Sequence, residues 1–163
     1  MNRIALLEAL RDYTKETVAD LIMPTRQQKG DPEGGQRAAD VHLMRLPDSS
    51  SATKKAPYII HQLITGQDIQ EPRQHVSSSV SIRSICCVYH PDEEEGALLL
   101  LNLMERLRIR LLKDVVIAGQ FELDLEAGLE TLIYPDDTAP YYAGELLSTW
   151  KLPAVEREVR QWL

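Results

Sequence analysis

The segment from Asp92 to Lys113 constrains the fold more than any other part of the chain. Asp92, Glu93, Glu94 and Glu95 crowd its start beside Pro91, and Arg106, Arg108, Arg110 and Lys113 crowd its end. Acids at an N-terminus and bases at a C-terminus both complement the helix dipole, so the segment predicts one long helix. Ala97, Leu100, Leu101, Leu103, Met104, Leu107, Leu111 and Leu112 recur on an arc of about half the cylinder. A helix with so wide an apolar arc needs a large surface to pack on. Arg108 falls inside the arc, whereas Leu98, Leu99 and Ile109 fall outside it. A subunit contact would account for both features; an Arg108 side chain that snorkels to solvent would account for the first equally well.

The surface to pack on is sought among strands. Val76–Tyr89 reads as a long strand with Val80, Ile82, Cys86 and Val88 on one face. Ile85, Cys87 and Tyr89 lie on the other, which predicts a central strand covered on both sides at its end. Further strand candidates are Val41–Leu46, Tyr58–Ile64 and Leu129–Tyr134. Phe121, Leu123 and Leu125 alternate with Glu122, Asp124 and Glu126, a pattern of one buried face. Tyr142, Gly144, Leu146, Ser148, Trp150 and Leu152 share one face of a last strand, closed by Pro153, with a short final helix expected over Ala154–Leu163. A helix is predicted over residues 2–23, with Pro24 as its stop. Loops are expected near 24–39, 47–56 and 66–75, long enough to be mobile or functional. This order predicts an α+β fold: a mixed or antiparallel sheet of about four to six strands, the long helix on one face, and an N-terminal helix. The 163 residues read as a single domain.

The net charge is −7, so the chain as a whole repels DNA, whose binding requires clustered Lys and Arg. No apolar run is long enough to span a membrane. The amphipathic, acid-bearing start does not read as a signal peptide, which implies a cytosolic chain at synthesis. Adjacent strand residues point to opposite faces, so Cys86 and Cys87 are expected as two small buried hydrophobes rather than a redox pair.

The sequence carries little that reads as chemistry. His42, His61, His75 and His90 are scattered without metal-ligand spacing and are expected at surface or half-buried positions. Gly34-Gly35 lacks the context of a phosphate loop, and the serines at 49–51 and 77–79 have no nucleophile elbow around them. Glu122, Asp124, Glu126, Glu130 and Asp136-Asp137 could hold a hard cation, but alternating acids on a strand are more commonly a solvated face. No cofactor, metal or catalytic activity is expected.

From about Ser84 to Glu158 the sequence resembles a known family. The segments are Val88-Tyr89, then DEEEGALLLLNLMERLRIRLL, then FELDLEAGLETLIYPDDTAPYYAGELLSTWKLPAVERE, with Tyr134-Pro135-Asp136-Asp137 and Trp150–Pro153 the most characteristic. They resemble small proteins from the structural-gene cassettes of siphophages and prophages, and in size, charge and order the chain looks like a tail terminator (tail-completion) subunit. The resemblance implies a ring of six subunits that caps the tail tube, touching the tail tube protein on one side and the head–tail connector protein on the other. It implies passage of DNA without specific binding, and a life in the host cytoplasm during assembly and then in the virion tail. Leu98, Leu99, Arg108 and Ile109 are the candidate subunit interface; Glu122, Asp124 and Glu126 are the candidate channel-facing residues. The alternatives are a head-closure or connector subunit of the same particle, and a metal-dependent enzyme using Glu122, Asp124 and Asp136.

Overall fold

A computed structural model describes residues 2–26, 35–47, 55–72, 75–135 and 138–156. Two helices, α1 (Arg3–Val18) and α2 (Glu93–Asp114), pack on one face of a curled mixed sheet. The strands are β1 (Met23–Pro24), β2 (Gln36–Arg37), β3 (Asp40–Leu43), β4 (Tyr58–Ile69), β5 (Ser77–Tyr89), β6 (Val116–Ile117), β7 (Phe121–Leu123), β8 (Glu130–Ile133) and β9 (Tyr141–Leu152). The sheet runs β3-β4-β5-β9-β7-β6, and β8 follows β7 along the same side of β9. β3 is parallel to β4; every other pairing is antiparallel. β1 and β2 form a separate two-stranded ladder. The expected α+β class, mixed sheet and helix placement are all present.

Each helix is started by its own side chains. The Asn2 carboxamide oxygen accepts the Ala5 N–H at 2.8 Å, and the Asp92 carboxylate accepts the Glu95 N–H at 2.9 Å. Both satisfy donors that a helix start leaves unpaired. α2 stops at Val115, which sits at φ 61° and returns its N–H to Leu111 O; no glycine announces the turn. α1 stops at Val18, five residues short of the expected Ile22-Met23 end. Leu21 donates its N–H to Val18 O in a tight turn, and Leu21 and Met23 then enter the core from non-helical chain. Their apolar character therefore prolonged a helical pattern that the backbone does not follow.

The core lies between the helices and the sheet. Trp150, Phe121, Leu103, Met104, Leu107, Ile59, Ile82 and Cys86 are fully enclosed in it. β5 buries Ser78, Val80, Ile82, Ser84, Cys86 and Val88 on this face. Its other face is covered only near its end, where Cys87 joins Ala56, Tyr58 and Ile60 in a second, smaller cluster. The two cysteine thiols are free and buried, and burial pushes them up to about 12 and about 11. They are inert core groups, as the strand geometry implies.

Three strand boundaries differ from those expected. β4 continues through Gly66 to Ile69 as half of a long hairpin with β5, so the first part of the expected 66–75 loop is strand. β3 ends at Leu43 rather than Leu46, because Met44 takes a left-handed φ of 66°. β7 ends at Leu123; Leu125 and Glu126 lie in a turn, and Leu125 is exposed. Residues 27–34 and 48–54 of the first two expected loops, and residues 157–163 of the expected final helix, lie outside the described residues; residues 154–156 are not helical.

Candidate interaction surface

α2 has two apolar faces. Gly96, Leu100, Leu103, Met104, Leu107 and Leu111 form the buried one. Gly96 permits this contact: a Cβ there would stand 2.2 Å from the Tyr142 ring. Leu98, Leu101, Ile109 and Leu112 form the other and keep 39–54% of their surface in water. At 100° per residue, these four and Glu105 fall within about 80° of the helix circumference. Exposed single leucines are ordinary, but four aligned along one helix are a continuous strip of the kind that marks a contact surface.

Of the expected interface residues, Leu98 and Ile109 lie on this strip. Leu99 does not: it is partly buried and packs against the core. Arg108 lies at the strip's margin, not inside a buried arc. It forks onto the Glu105 carboxylate at 2.7 and 2.9 Å, and this bond lowers the Glu105 pKa. Leu101 and Leu112, together with Ala97, belong to the expected core arc, yet all three are exposed. The core arc is thus narrower than the sequence implies, because the sheet meets α2 along one line only.

Beyond the helix, β8 adds Leu132 and Ile133, 48% and 45% exposed. Ile133, Leu98, Leu101, Tyr134, Tyr141 and Tyr142 line a mostly apolar groove of about 430 Å³ between α2 and the β8–β9 edge. Sequence reasoning missed this half of the surface. Its available signal was the pair Leu132-Ile133, which puts an apolar group on each face of a strand four residues long.

The expected channel-facing acids are not one acidic face. Glu122 lies 3.6 Å from the Lys151 ammonium. The Asp124 carboxylate accepts the N–H groups of Glu126 and Ala127 at 3.1 and 3.3 Å and thereby holds the turn. Glu126 is exposed in that turn rather than on the strand. Among the described residues no group of three or more His, Cys, Asp or Glu side chains is placed to share a metal ion; Asp136 lies outside them.

One histidine departs from expectation. His61 is fully buried, its Nε2 2.8 Å from Thr14 Oγ1 on α1 and its Nδ1 2.7 Å from Ser84 Oγ on β5. Burial lowers the His61 pKa to about 3, so the ring is neutral, with one nitrogen donating and the other accepting. A serine beside a histidine is nucleophile–base chemistry in form. Here Thr14, His61 and Ser84 are all enclosed, so no substrate reaches them, and the trio acts as a polar bolt between α1 and the sheet. His42, half-buried on β3, is also lowered, first by burial and then by Lys55, Arg37 and Lys15, against the pull of Asp40. His90 accepts the Asp92 N–H at the start of α2.

Among the described residues no helix is long and apolar enough to cross a membrane. Compared with known proteins, the chain matches no family model and no curated sequence.

Proposed function

We propose that this protein is a non-catalytic structural subunit of a long-tailed phage particle, the tail terminator that caps the tail tube as a ring and meets the head–tail connector. The observation that carries the self-assembly part is the second apolar face of α2. Leu98, Leu101, Ile109 and Leu112 point away from a core already complete on the opposite face. A ring subunit needs surface of this kind, left over after its own core is packed. The phage origin and the terminator role rest on the resemblance at Tyr134–Pro153 and around α2. The net charge of −7 suits a conduit through which DNA slides without sticking. Electron microscopy of assembled tails labelled with an antibody to this chain tests the role. Label at the head-proximal end of the tube is expected. Label on the capsid side of the joint would replace the terminator reading with the connector subunit, and absence from the particle would end both.

A further inference from the structure

Two edge strands of the sheet, β8 and β3, are complementary in register, polarity and charge. The pairings Ile133–Gly144, Gly144–Cys86, Cys86–Ile59 and Ile59–Val41 form one rung that crosses the whole sheet from β8 to β3. Thr131, Leu146, Ser84, His61 and Leu43 form the next rung but one. Tyr134 N–H bonds to Ala143 O, so 134, 132 and 130 are the β8 positions whose backbone faces β9. Thr131 and Ile133 therefore aim their N–H and C=O groups outward. On β3, Asp40 and Met44 bond inward to Pro57 O and His61 O, which leaves Val41 and Leu43 aimed outward, with Leu43 O also accepting the Arg45 N–H at 2.8 Å. Outward-facing residues thus end the same rungs on both edges. β8 runs opposite to β9, and β3 runs with β4, so β8 and β3 point in opposite directions.

Both edge strands are four residues long and carry one acid each, Asp40 on β3 and Glu130 on β8. β8 has no Pro or Lys, and two of its four residues are exposed apolar groups. The charges also match. Exposed Glu130 lies on the β8 side, with Glu93, Glu94 and Glu95 at the α2 start beside the groove that Ile133 lines. Exposed Arg45 follows β3, and Lys15, Arg37 and Lys55 act on His42 there, against the one carboxylate of Asp40, which Arg37 pairs.

We infer that a second copy of this chain docks by strand addition, β8 of one copy pairing antiparallel with β3 of the next, Ile133 opposite Val41 and Thr131 opposite Leu43. This rests on the ring reading and names its contact. The pairing is head to tail, using different patches on the two copies, which is the type of interface that closes into a ring. It sets Leu132 of one copy directly opposite His42 of the next, in a non-hydrogen-bonded pair with Cα atoms about 4.5 Å apart. That separation lies within the range a disulfide spans, about 4.4–6.8 Å.

The full chain carrying Leu132→Cys and His42→Cys together, titrated upward in concentration with oxidised glutathione, should give a ladder of disulfide-linked dimers, trimers and higher species. Each single variant, and the unaltered chain with its buried Cys86 and Cys87, should give none. Adding Thr131→Pro should abolish the ladder without moving the unfolding midpoint, because that N–H faces away from β9. No ladder up to the solubility limit, dimers from either single variant, or a ladder that survives Thr131→Pro would each overturn the pairing. Unlinked rings seen by native mass spectrometry would overturn it while leaving the ring reading intact. A linked ladder from a chain absent from tails would leave the pairing intact and remove the terminator role.

Discussion

Acid should loosen this protein through His61 before its carboxylates begin to protonate. The imidazole is sealed between Thr14 and Ser84, and burial lowers its pKa from 6.5 to about 3. The unfolded chain binds a proton at His61 below pH 6.5; the folded chain does not until about pH 3. The unfolded state therefore holds more protons in that window, and stability falls as pH falls. Stability is fully retained above pH 6.5 and drops by about 1.4 kcal/mol per pH unit once well below it. Between pH 7.5 and 5 the loss works out at about 2 kcal/mol. Ordinary carboxylates titrate near 4, so they contribute little over that interval. Urea unfolding at pH 7.5, 6.5, 5.5 and 5.0 measures the loss. His61→Gln keeps hydrogen-bonding atoms near both hydroxyls and cannot titrate. It should start less stable at pH 7.5 and lose about 2 kcal/mol less than the native chain on acidification. Equal losses in the two proteins would refute the reasoning.

Trp150→Ala should cost about 3–5 kcal/mol in unfolding free energy, because the indole is fully enclosed in the main core; an unchanged midpoint would show otherwise. Gly96→Ala should cost about 1–3 kcal/mol by driving a methyl into Tyr142, and the cost should shrink in a Tyr142→Ala background, as a double-mutant cycle would reveal. Leu98→Glu with Leu101→Glu should leave the unfolding midpoint within about 0.5 kcal/mol of native while blocking incorporation into tails, read by immunoblot of purified particles.

What the sequence disclosed was what periodicity and end charges encode. The α2 start at Asp92, the two-faced end of β5 and the buried row from Gly144 to Trp150 are local patterns, and they appear where expected. What it hid depended on partners distant in sequence. Leu101 and Leu112 continue the apolar arc of α2, yet the sheet does not reach them, and no local pattern reports where a neighbouring layer ends. Leu21 and Met23 extend the helical spacing of α1 but enter the core from non-helical chain. His61 reads as one of four scattered histidines until the fold sets Thr14 and Ser84 on either side of it. Asp124 and Glu122 read as a bare acidic face until one closes a turn and the other meets Lys151. The apolar groove joins residues on α2 to residues on β8 and β9, so half of it was invisible from the helix alone.

The proposed terminator role is tested most directly by assembling tail tubes of a phage that encodes this chain, with and without it, and measuring their lengths by electron microscopy. With the chain present, tubes should be of one length and competent to join heads. Without it, they should vary in length and stay unjoined, and Leu98→Glu with Leu101→Glu should behave as its absence. Tubes of uniform length, joined to heads in its absence, would contradict the account.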